Sequence, residues 1–308
     1  MTDQAVTTNT DNAQLGAQRT LWGDVWRQFM QHKGGVAGSI VFVTIVLVVA
    51  LGPFIHTVDP QFLDIRNKNL GPSFAHPMGT DNLGRDMFAQ ILAGGRITLA
   101  VGILAMALSL VLGTLVGVVA GFFKKLDGIL MRTTDLFLAL PLLPLLLVII
   151  MLFRDPLRQA FGPETGIFLL IVFVIGITSW MNTARIVRGE VLAIKEREFV
   201  LAARSIGTRS WTTIWRHIFP NVLSPVMVSA TLGIANAIIT ESALSFLGLG
   251  FPSDFPTWGR LLFDGTSFMT VTPIRVVWPG VMISLVVLSI NYIGDGVRDA
   301  LDPRIRGR

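Results

Sequence analysis

The sequence contains no cysteine, and only 15% of its 308 residues are charged. The absence of cysteine excludes disulfides and thiolate metal sites. The shortage of charge is more informative, because soluble globular chains carry about 25% charged residues. Hydrophobic residues make up 52% of this chain, and its mean hydropathy is +0.63. Much of its surface is therefore expected to face a solvent other than water.

Long runs without Asp, Glu, Lys or Arg identify that solvent as a lipid bilayer. A spanning helix needs about 20 apolar residues, and its backbone groups must bond one another. The runs are continuously apolar, which argues against the alternating pattern of a transmembrane β-barrel. The sequence thus predicts an all-α integral membrane protein with about six transmembrane helices. The charge-free runs are 34–58, 97–123, 136–153, 165–184, 217–240 and 276–294.

These runs divide the chain into four predicted parts. Residues 1–35 form a cytoplasmic tail and an amphipathic interfacial helix; alternatively, that helix is the start of the first span. Residues 36–95 hold the first transmembrane helix and an external loop, residues 96–297 the main transmembrane domain, and residues 298–308 a cytoplasmic tail. The spans predicted within the main domain are about 97–121, 133–153, 166–186, 222–246 and 276–296. Pro141 and Pro144 fall in the second of these and predict a static kink, with a hinge for alternating access as the alternative.

The distribution of basic residues predicts the orientation. With the N-terminus inside, the inside segments carry 17 of the 25 Lys and Arg. The positive-inside rule therefore favours cytoplasmic N- and C-termini in a multi-pass membrane protein. The same rule explains the net charge of +5 without a nucleic-acid partner.

The cytoplasmic loop 188–221 is too long and too patterned to be a simple connection. Its first half is helical by propensity, and Gly207 is placed to end that helix in a left-handed conformation. The paired alanines would let another backbone approach this helix closely. The residues expected on one face are Phe199, Ala202, Ala203 and Ile206.

A second short helix is expected after the glycine. Thr208 or Ser210 would cap it, and Pro220 would close it before the next span. A helix–glycine–helix unit on the cytoplasmic side would form a rigid knob that a partner protein could grip.

The spacing in this loop resembles the coupling-loop signature of permease subunits of bacterial ABC importers. That signature has two alanines, three residues, a glycine and later a hydrophobic–proline pair. Leu201 replaces the family's acid, and His217 and Phe219 replace its isoleucine and leucine. The matching residues are Ala202, Ala203, Gly207, Phe219 and Pro220.

Further blocks resemble the dipeptide/oligopeptide permeases in particular. With the loop, they extend the resemblance from about Trp22 to Pro303, and they imply the type I ABC importer permease fold. The blocks are 76–86, 94–99, 241–250 with 258–259, and 294–303.

The resemblance implies a non-catalytic subunit of a larger complex in the bacterial inner (plasma) membrane. Its partners would be a second homologous permease subunit, two cytosolic ABC ATPase subunits, an extracytoplasmic substrate-binding protein and membrane lipid. ATP and Mg would be bound by the ATPases, because this chain has no Gly-x4-Gly-Lys-Ser/Thr motif; no cofactor is expected on the chain itself. The expected cargo is di- or oligopeptides, with nickel chelates, glutathione or sugars as alternatives. The residues implied to couple to the ATPase are Ala202, Ala203, Arg204, Gly207, His217 and Pro220.

Two polar residues of the fifth span are candidate functional residues. Glu241 is the only acid deep between long apolar stretches, and such a charge usually faces a cavity or a partner. It could line the pathway or lock the helix, or it could lie near the outer interface in a purely structural role. Asn236, five residues earlier, is a weaker candidate for the pathway.

Two charged clusters lie outside the spans. The first, in the external loop, predicts an ordered turn with Asp81 or Asn82 as a helix N-cap. It could dock the binding protein, gate the outer mouth of the pathway or form a structural lid. The second predicts a salt-bridge network in the cytoplasmic tail, with ATPase contact as the alternative. The first cluster is Thr80, Asp81, Arg85 and Asp86, and the second is Asp295, Arg298, Asp299 and Asp302.

Other classes of function fit less well. The four histidines include no i, i+4 pair, so no metal site is expected. An ion-coupled secondary transporter normally shows internal repeats and several intramembrane acids, and this chain shows neither. A membrane-embedded hydrolase would need a nucleophile and base within the spans, and no convincing pair is present, so no catalytic residue is expected.

Overall fold

The structure, a computed structural model, describes residues 21–301. In that range the chain is helical almost throughout, and its only extended pairing is an isolated bridge between Thr80 and Asp86. The helices are α1 (Leu21–Gln31), α2 (Lys33–Ile55), α3 (Met87–Phe122), α4 (Lys124–Ala139), α5 (Leu142–Phe161), α6 (Pro163–Ile194), α7 (Glu198–Ser205), α8 (Ser210–Thr213), α9 (Phe219–Phe246), α10 (Trp258–Thr266) and α11 (Ile274–Leu301).

Five helical stretches within the described range are long and apolar enough to cross a membrane. They are α2, α3, α6, the continuous stretch Ser210–Phe246, and α11. The bent pair α4–α5 supplies a sixth. The predicted all-α class with about six spans is therefore confirmed.

The span predicted at 133–153 is not one straight helix. The chain breaks at Leu140 and Pro141, and α4 and α5 meet there at 90°. Pro141 stands as the N-cap of α5, and Pro144 lies in its first turn, where a missing N–H costs no hydrogen bond. The prolines thus produce a sharp corner. Only α5 packs extensively against the bundle, and Thr134 is the one buried residue of α4.

The prediction that Pro220 closes a separate short helix is wrong. The helix runs on from α8 through one π-helical segment, Ile214–Ile218, into α9. A proline ring normally clashes with the carbonyl four residues before it, here that of Arg216. The wider π-helical turn gives the ring room, so the helix continues past the proline. Neither Thr208 nor Ser210 caps it; Arg209 is the N-cap residue and makes no side-chain capping bond.

The most extensive contact between two helices in the described range is that of α3 with α6. Glycines recur every fourth residue on the facing side of α3, and they let the two backbones approach. A Cβ at Gly113 would lie 2.7 Å from the Trp180 carbonyl oxygen, and one at Gly117 would lie 2.6 Å from that of Ala184. This seam of small residues packs α3 tightly against α6, and the loop 188–221 lies at the cytoplasmic ends of these two helices.

The amphipathic N-terminal segment forms a helix of its own. His32 separates α1 from α2, and its Nδ1 accepts the Gly35 N–H at 2.8 Å. Helix α1 packs against α11, and Trp26 on α1 is 63% exposed. The helix is therefore interrupted at His32, and the placement of α1 at the membrane interface stays a prediction.

The salt-bridge network predicted in the cytoplasmic tail is not seen among its described members. No ion pair joins Asp295, Arg298 or Asp299 to one another; instead Asp299 lies 3.6 Å from the His32 Nε2. The side chains of Asp295 and Arg298 are exposed. Asp302 lies outside the described residues.

Candidate functional site

The cytoplasmic knob is built by a glycine turn between α7 and α8. Gly207 has a φ of +81°, and its N–H donates to the Arg204 carbonyl at 2.9 Å. The Thr208 N–H returns to the Ala203 carbonyl at 3.1 Å. These bonds satisfy the last carbonyls of α7, the usual role of a left-handed residue at a helix end. A Cβ at Gly207 would meet nothing within 4 Å, so the backbone conformation alone calls for glycine here.

The knob encloses an open groove of about 470 Å³. Its α7 wall holds the small and apolar face expected from the sequence, with Ala202 exposed, Ala203 buried and Ile206 84% exposed. The facing wall adds polar and basic groups. The lining residues are Phe199, Ala202, Ala203, Ile206, Thr208, Thr212, Arg216 and His217.

His217 and Pro220, both assigned to coupling from the sequence, differ in placement. The His217 ring lies 6.5 Å from that of Phe199 across the groove, and its carbonyl accepts the Asn221 side-chain amide at 2.7 Å. Pro220 is absent from the groove wall and lies in the first turn of α9.

Polar and apolar contacts fix the knob to the bundle. The Arg204 guanidinium stacks 4.8 Å above the Phe122 ring at the inner end of α3. The Lys195 ammonium donates to the Gly121 carbonyl at 2.9 Å. Beneath the knob, Ile214 and Ile218 are buried in an apolar cluster with valines of α3, α6 and α9. The knob is therefore packed directly on the inner ends of these helices.

Two ion pairs that sequence reasoning missed tie α4 to α6. The Arg188 guanidinium binds Asp127 through two bonds of 2.5 and 2.7 Å. One turn outward along α6, Arg185 pairs with Asp135 at 2.5 Å, with both side chains about half exposed. The partners are 61 and 50 residues apart in sequence, so no local pattern could have indicated them.

Glu241 lies in a fully buried cage of hydroxyl groups. Its Oε1 accepts the Ser245 hydroxyl at 2.7 Å, and its Oε2 lies 3.5 Å from the Ser242 hydroxyl. The hydroxyls of Thr98 on α3 and Thr257, the N-cap of α10, lie beside it. The carboxyl group thus joins three helices. Asn236 is exposed instead, so the two residues do not share a site.

Asp86, in the external cluster, caps α3 and contacts two histidines. Its Oδ1 accepts the Ala89 N–H at 2.7 Å, so Asp86 is the N-cap, and the prediction of Asp81 or Asn82 is wrong. Its carboxylate also lies 3.2 Å from His56 Nε2 and 2.7 Å from His76 Nδ1. Because this cap comes early, α3 begins ten residues before the predicted span.

Asp81 closes the turn that precedes this cap. It accepts the backbone N–H groups of Leu83 and Arg85, and the Arg85 Nε lies 2.6 Å away. The turn passes through Gly84, where φ is +78° and a Cβ would lie 1.7 Å from the Asp64 carbonyl oxygen.

The buried polar groups of the cluster hold the external loop together. Thr80 and Asp81 are at most 2% exposed, and the Thr80 hydroxyl bonds the Asn67 carbonyl and the Leu70 N–H. A further contact missed from the sequence joins Arg275 of α11 to the Asn82 side chain at 2.8 Å. This arrangement agrees with the structural alternative raised for the cluster.

Comparison with known proteins agrees with this architecture. Residues 109–307 match the family described as the inner membrane component of binding-protein-dependent transport systems. Residues 20–72 match the N-terminal transmembrane domain of oligopeptide transport permease C.

Individual relatives are similar over almost their whole length. The chain is 37% identical to the oligopeptide transport system permease protein OppC of Bacillus subtilis, over 93% of this chain and 91% of that one. It is 34% identical to the glutathione transport system permease protein GsiD of Pectobacterium atrosepticum, over 94% and 93%.

A solved structure supports the fold independently of close sequence similarity. The inward-facing MetNI methionine ABC transporter contains a chain that matches with a TM-score of 0.55 at 17% identity, covering 68% of this chain and 94% of that one. This likeness confirms the predicted ABC importer permease fold. With the family match over most of the sequence, it shows that the chain belongs to the family of inner membrane components of binding-protein-dependent transport systems.

Proposed function

We propose that this chain imports peptides as one permease subunit of an ATP-driven transporter, and that the knob at 198–217 is its handle for an ATPase subunit. The observation that carries the proposal is the exposed groove beside Ala202, braced on the inner ends of α3 and α6. A rigid unit of this kind converts movement of a cytosolic partner into movement of the spans. ATP and Mg would be held by two cytosolic ATPase subunits, since the chain has no phosphate-binding motif.

The exposure of Asn236 on α9 supports a pathway role for this residue. An exposed amide within an apolar span faces a water-filled cavity or a partner helix rather than lipid. The second permease subunit would enclose that face and complete the pathway. Glu241, which is fully buried between helices, fits the helix-locking role rather than the pathway-lining one.

The names of relatives favour a peptide cargo. By their names, these relatives transport oligopeptides, dipeptides and glutathione, which is a tripeptide. Delivery by an extracytoplasmic binding protein follows from the family description. Uptake of labelled di- to pentapeptides by cells with and without the gene tests this cargo.

Site-specific crosslinking tests the handle directly. The sequence has no native cysteine, so Ser205→Cys introduces a single thiol on the exposed end of α7. In the complete transporter this thiol is expected to crosslink to an ATPase subunit and to resist labelling from outside. The matched control is Ala75→Cys on the external loop, which should be labelled from outside and form no such crosslink. Outside labelling of the Ser205 variant would contradict the topology, and absence of the ATPase crosslink would contradict the handle.

Replacement of Asn236 tests the pathway. Asn236→Leu is expected to lower peptide uptake about three- to tenfold, because an apolar side chain removes a hydrogen-bonding group from a polar passage. Its thermal stability should match that of the wild type, since the side chain is exposed. Ile40→Ala, at a 62% exposed position of α2, serves as the control with unchanged uptake. Unchanged uptake by Asn236→Leu would argue against the pathway role.

A further inference from the structure

An aromatic stripe near the coupling knob has no assigned role. Trp211 and Trp215 stand four residues apart and are 60% and 55% exposed. The Phe219 ring continues the stripe, 4.9 Å from that of Trp215. With Thr212 and Arg216, the two indoles line an open groove of about 510 Å³, called the aromatic groove below. It shares Thr212 and Arg216 with the groove beside Ala202.

The depth of this aromatic groove follows from its contact with α3. The Trp211 ring lies 6.4 Å from that of Phe123. Phe123 is the last residue of the charge-free run 97–123 and is followed at once by Lys124 and Lys125. The groove therefore lies where hydrocarbon gives way to headgroups on the cytoplasmic side. Tryptophan is enriched at that level, because its ring is apolar and its N–H is polar.

One basic residue lines the aromatic groove, and two more directly follow Phe123, whose ring lies beside Trp211. Lys124 and Lys125 are exposed, and Arg216 lines the groove. None of the three forms an ion pair with a residue that the structure describes. Asp127, the nearest acid along α4, is already bound by Arg188. The charge at this level is thus uncompensated.

We propose that the aromatic groove binds the headgroup of an anionic phospholipid of the inner leaflet. Its phosphate would contact Arg216 and the two lysines, and its glycerol backbone would pack on the indoles. Basic residues at a membrane surface attract anionic lipids in this way, and arginine suits a phosphate by its planar array of donors. A lipid held here would support the base of the knob from the membrane side. This role is separate from coupling, and either proposal can fail without the other.

A photocrosslinking aromatic amino acid in place of Trp211 identifies the occupant, because Trp211 lines the aromatic groove and does not line the groove beside Ala202. In the complete transporter, embedded in membranes of phosphatidylcholine and phosphatidylglycerol, the expected adduct is phosphatidylglycerol. The same amino acid at Ser73 on the external loop is the control. An adduct with an ATPase subunit, or no enrichment of phosphatidylglycerol over phosphatidylcholine, overturns the proposal.

Lipid retention by the purified complex tests the charge. The double variant Lys124→Gln, Lys125→Gln is expected to bind phosphatidylglycerol more weakly, by about fivefold for each lysine replaced. The reason is that a basic residue at an anionic membrane surface contributes about 1 kcal/mol. Mass spectrometry of the intact complex measures the bound lipid. Lys68→Gln, on the external loop, should leave binding unchanged. Equal retention by the double variant and the wild type overturns the proposal. Crosslinking of Ser205→Cys to the ATPase, measured on the same variants, separates this failure from a failure of coupling.

Discussion

Gly207→Val is expected to lower coupled uptake about tenfold or more while membrane insertion and subunit assembly stay normal. The φ of +81° at this position places a β-branched side chain in a region that costs about 1–3 kcal/mol. Since 1.4 kcal/mol corresponds to a factor of ten in an equilibrium, the population of the native turn relative to other conformations would fall about tenfold or more. A Cβ at this position would meet nothing within 4 Å, so the effect is expected to arise from the backbone conformation of the turn.

Two control variants separate this strain from a general effect of bulk. Gly207→Asn should retain most of the uptake, because asparagine tolerates the left-handed conformation. Gly189→Val places the same side chain in equally open space on α6, at a residue without a positive φ, and should behave as the wild type. ATP hydrolysed per peptide imported is the decisive ratio. It should rise in Gly207→Val, and a wild-type ratio with wild-type uptake would argue against the handle.

The predictable part of the fold depends on local composition. Charge-free runs of about 20 residues indicate spans because bilayer thickness is fixed. Gly207 was predictable because a glycine after a helical stretch marks its end. The face shared by Phe199, Ala202 and Ile206 follows from helical periodicity alone.

The unpredicted part depends on contacts between distant segments. The continuation past Pro220 requires a π-helical turn, which proline propensity does not indicate. The Asp127–Arg188 pair and the histidines at Asp86 join residues far apart in sequence. The repeat of Gly113, Gly117 and Gly121 on α3 was a readable signal for a close helix contact, and it could have indicated the α3–α6 seam before the structure was known.

The burial of Glu241 leads to the second large effect, a loss of stability in Glu241→Ala. Truncation removes the acceptor of the Ser245 hydroxyl and leaves a cavity where α9, α3 and the start of α10 meet. A buried polar group without its partner costs about 1–3 kcal/mol, and the cavity adds to that cost. We expect a total of about 2–4 kcal/mol and a fall of several degrees in the thermal midpoint of the purified complex.

A conservative variant of Glu241 and a control variant of an exposed acid test whether Glu241 holds the three helices together. Glu241→Gln keeps the shape and one acceptor, so its midpoint should lie between those of the alanine variant and the wild type. Glu164→Ala, at an exposed acid of α6, should leave the midpoint unchanged. If Glu241 lined the pathway, the alanine variant would instead lose uptake at an unchanged midpoint. That outcome would require the hydroxyl cage to open during transport, because in this structure no part of the carboxyl group reaches the surface.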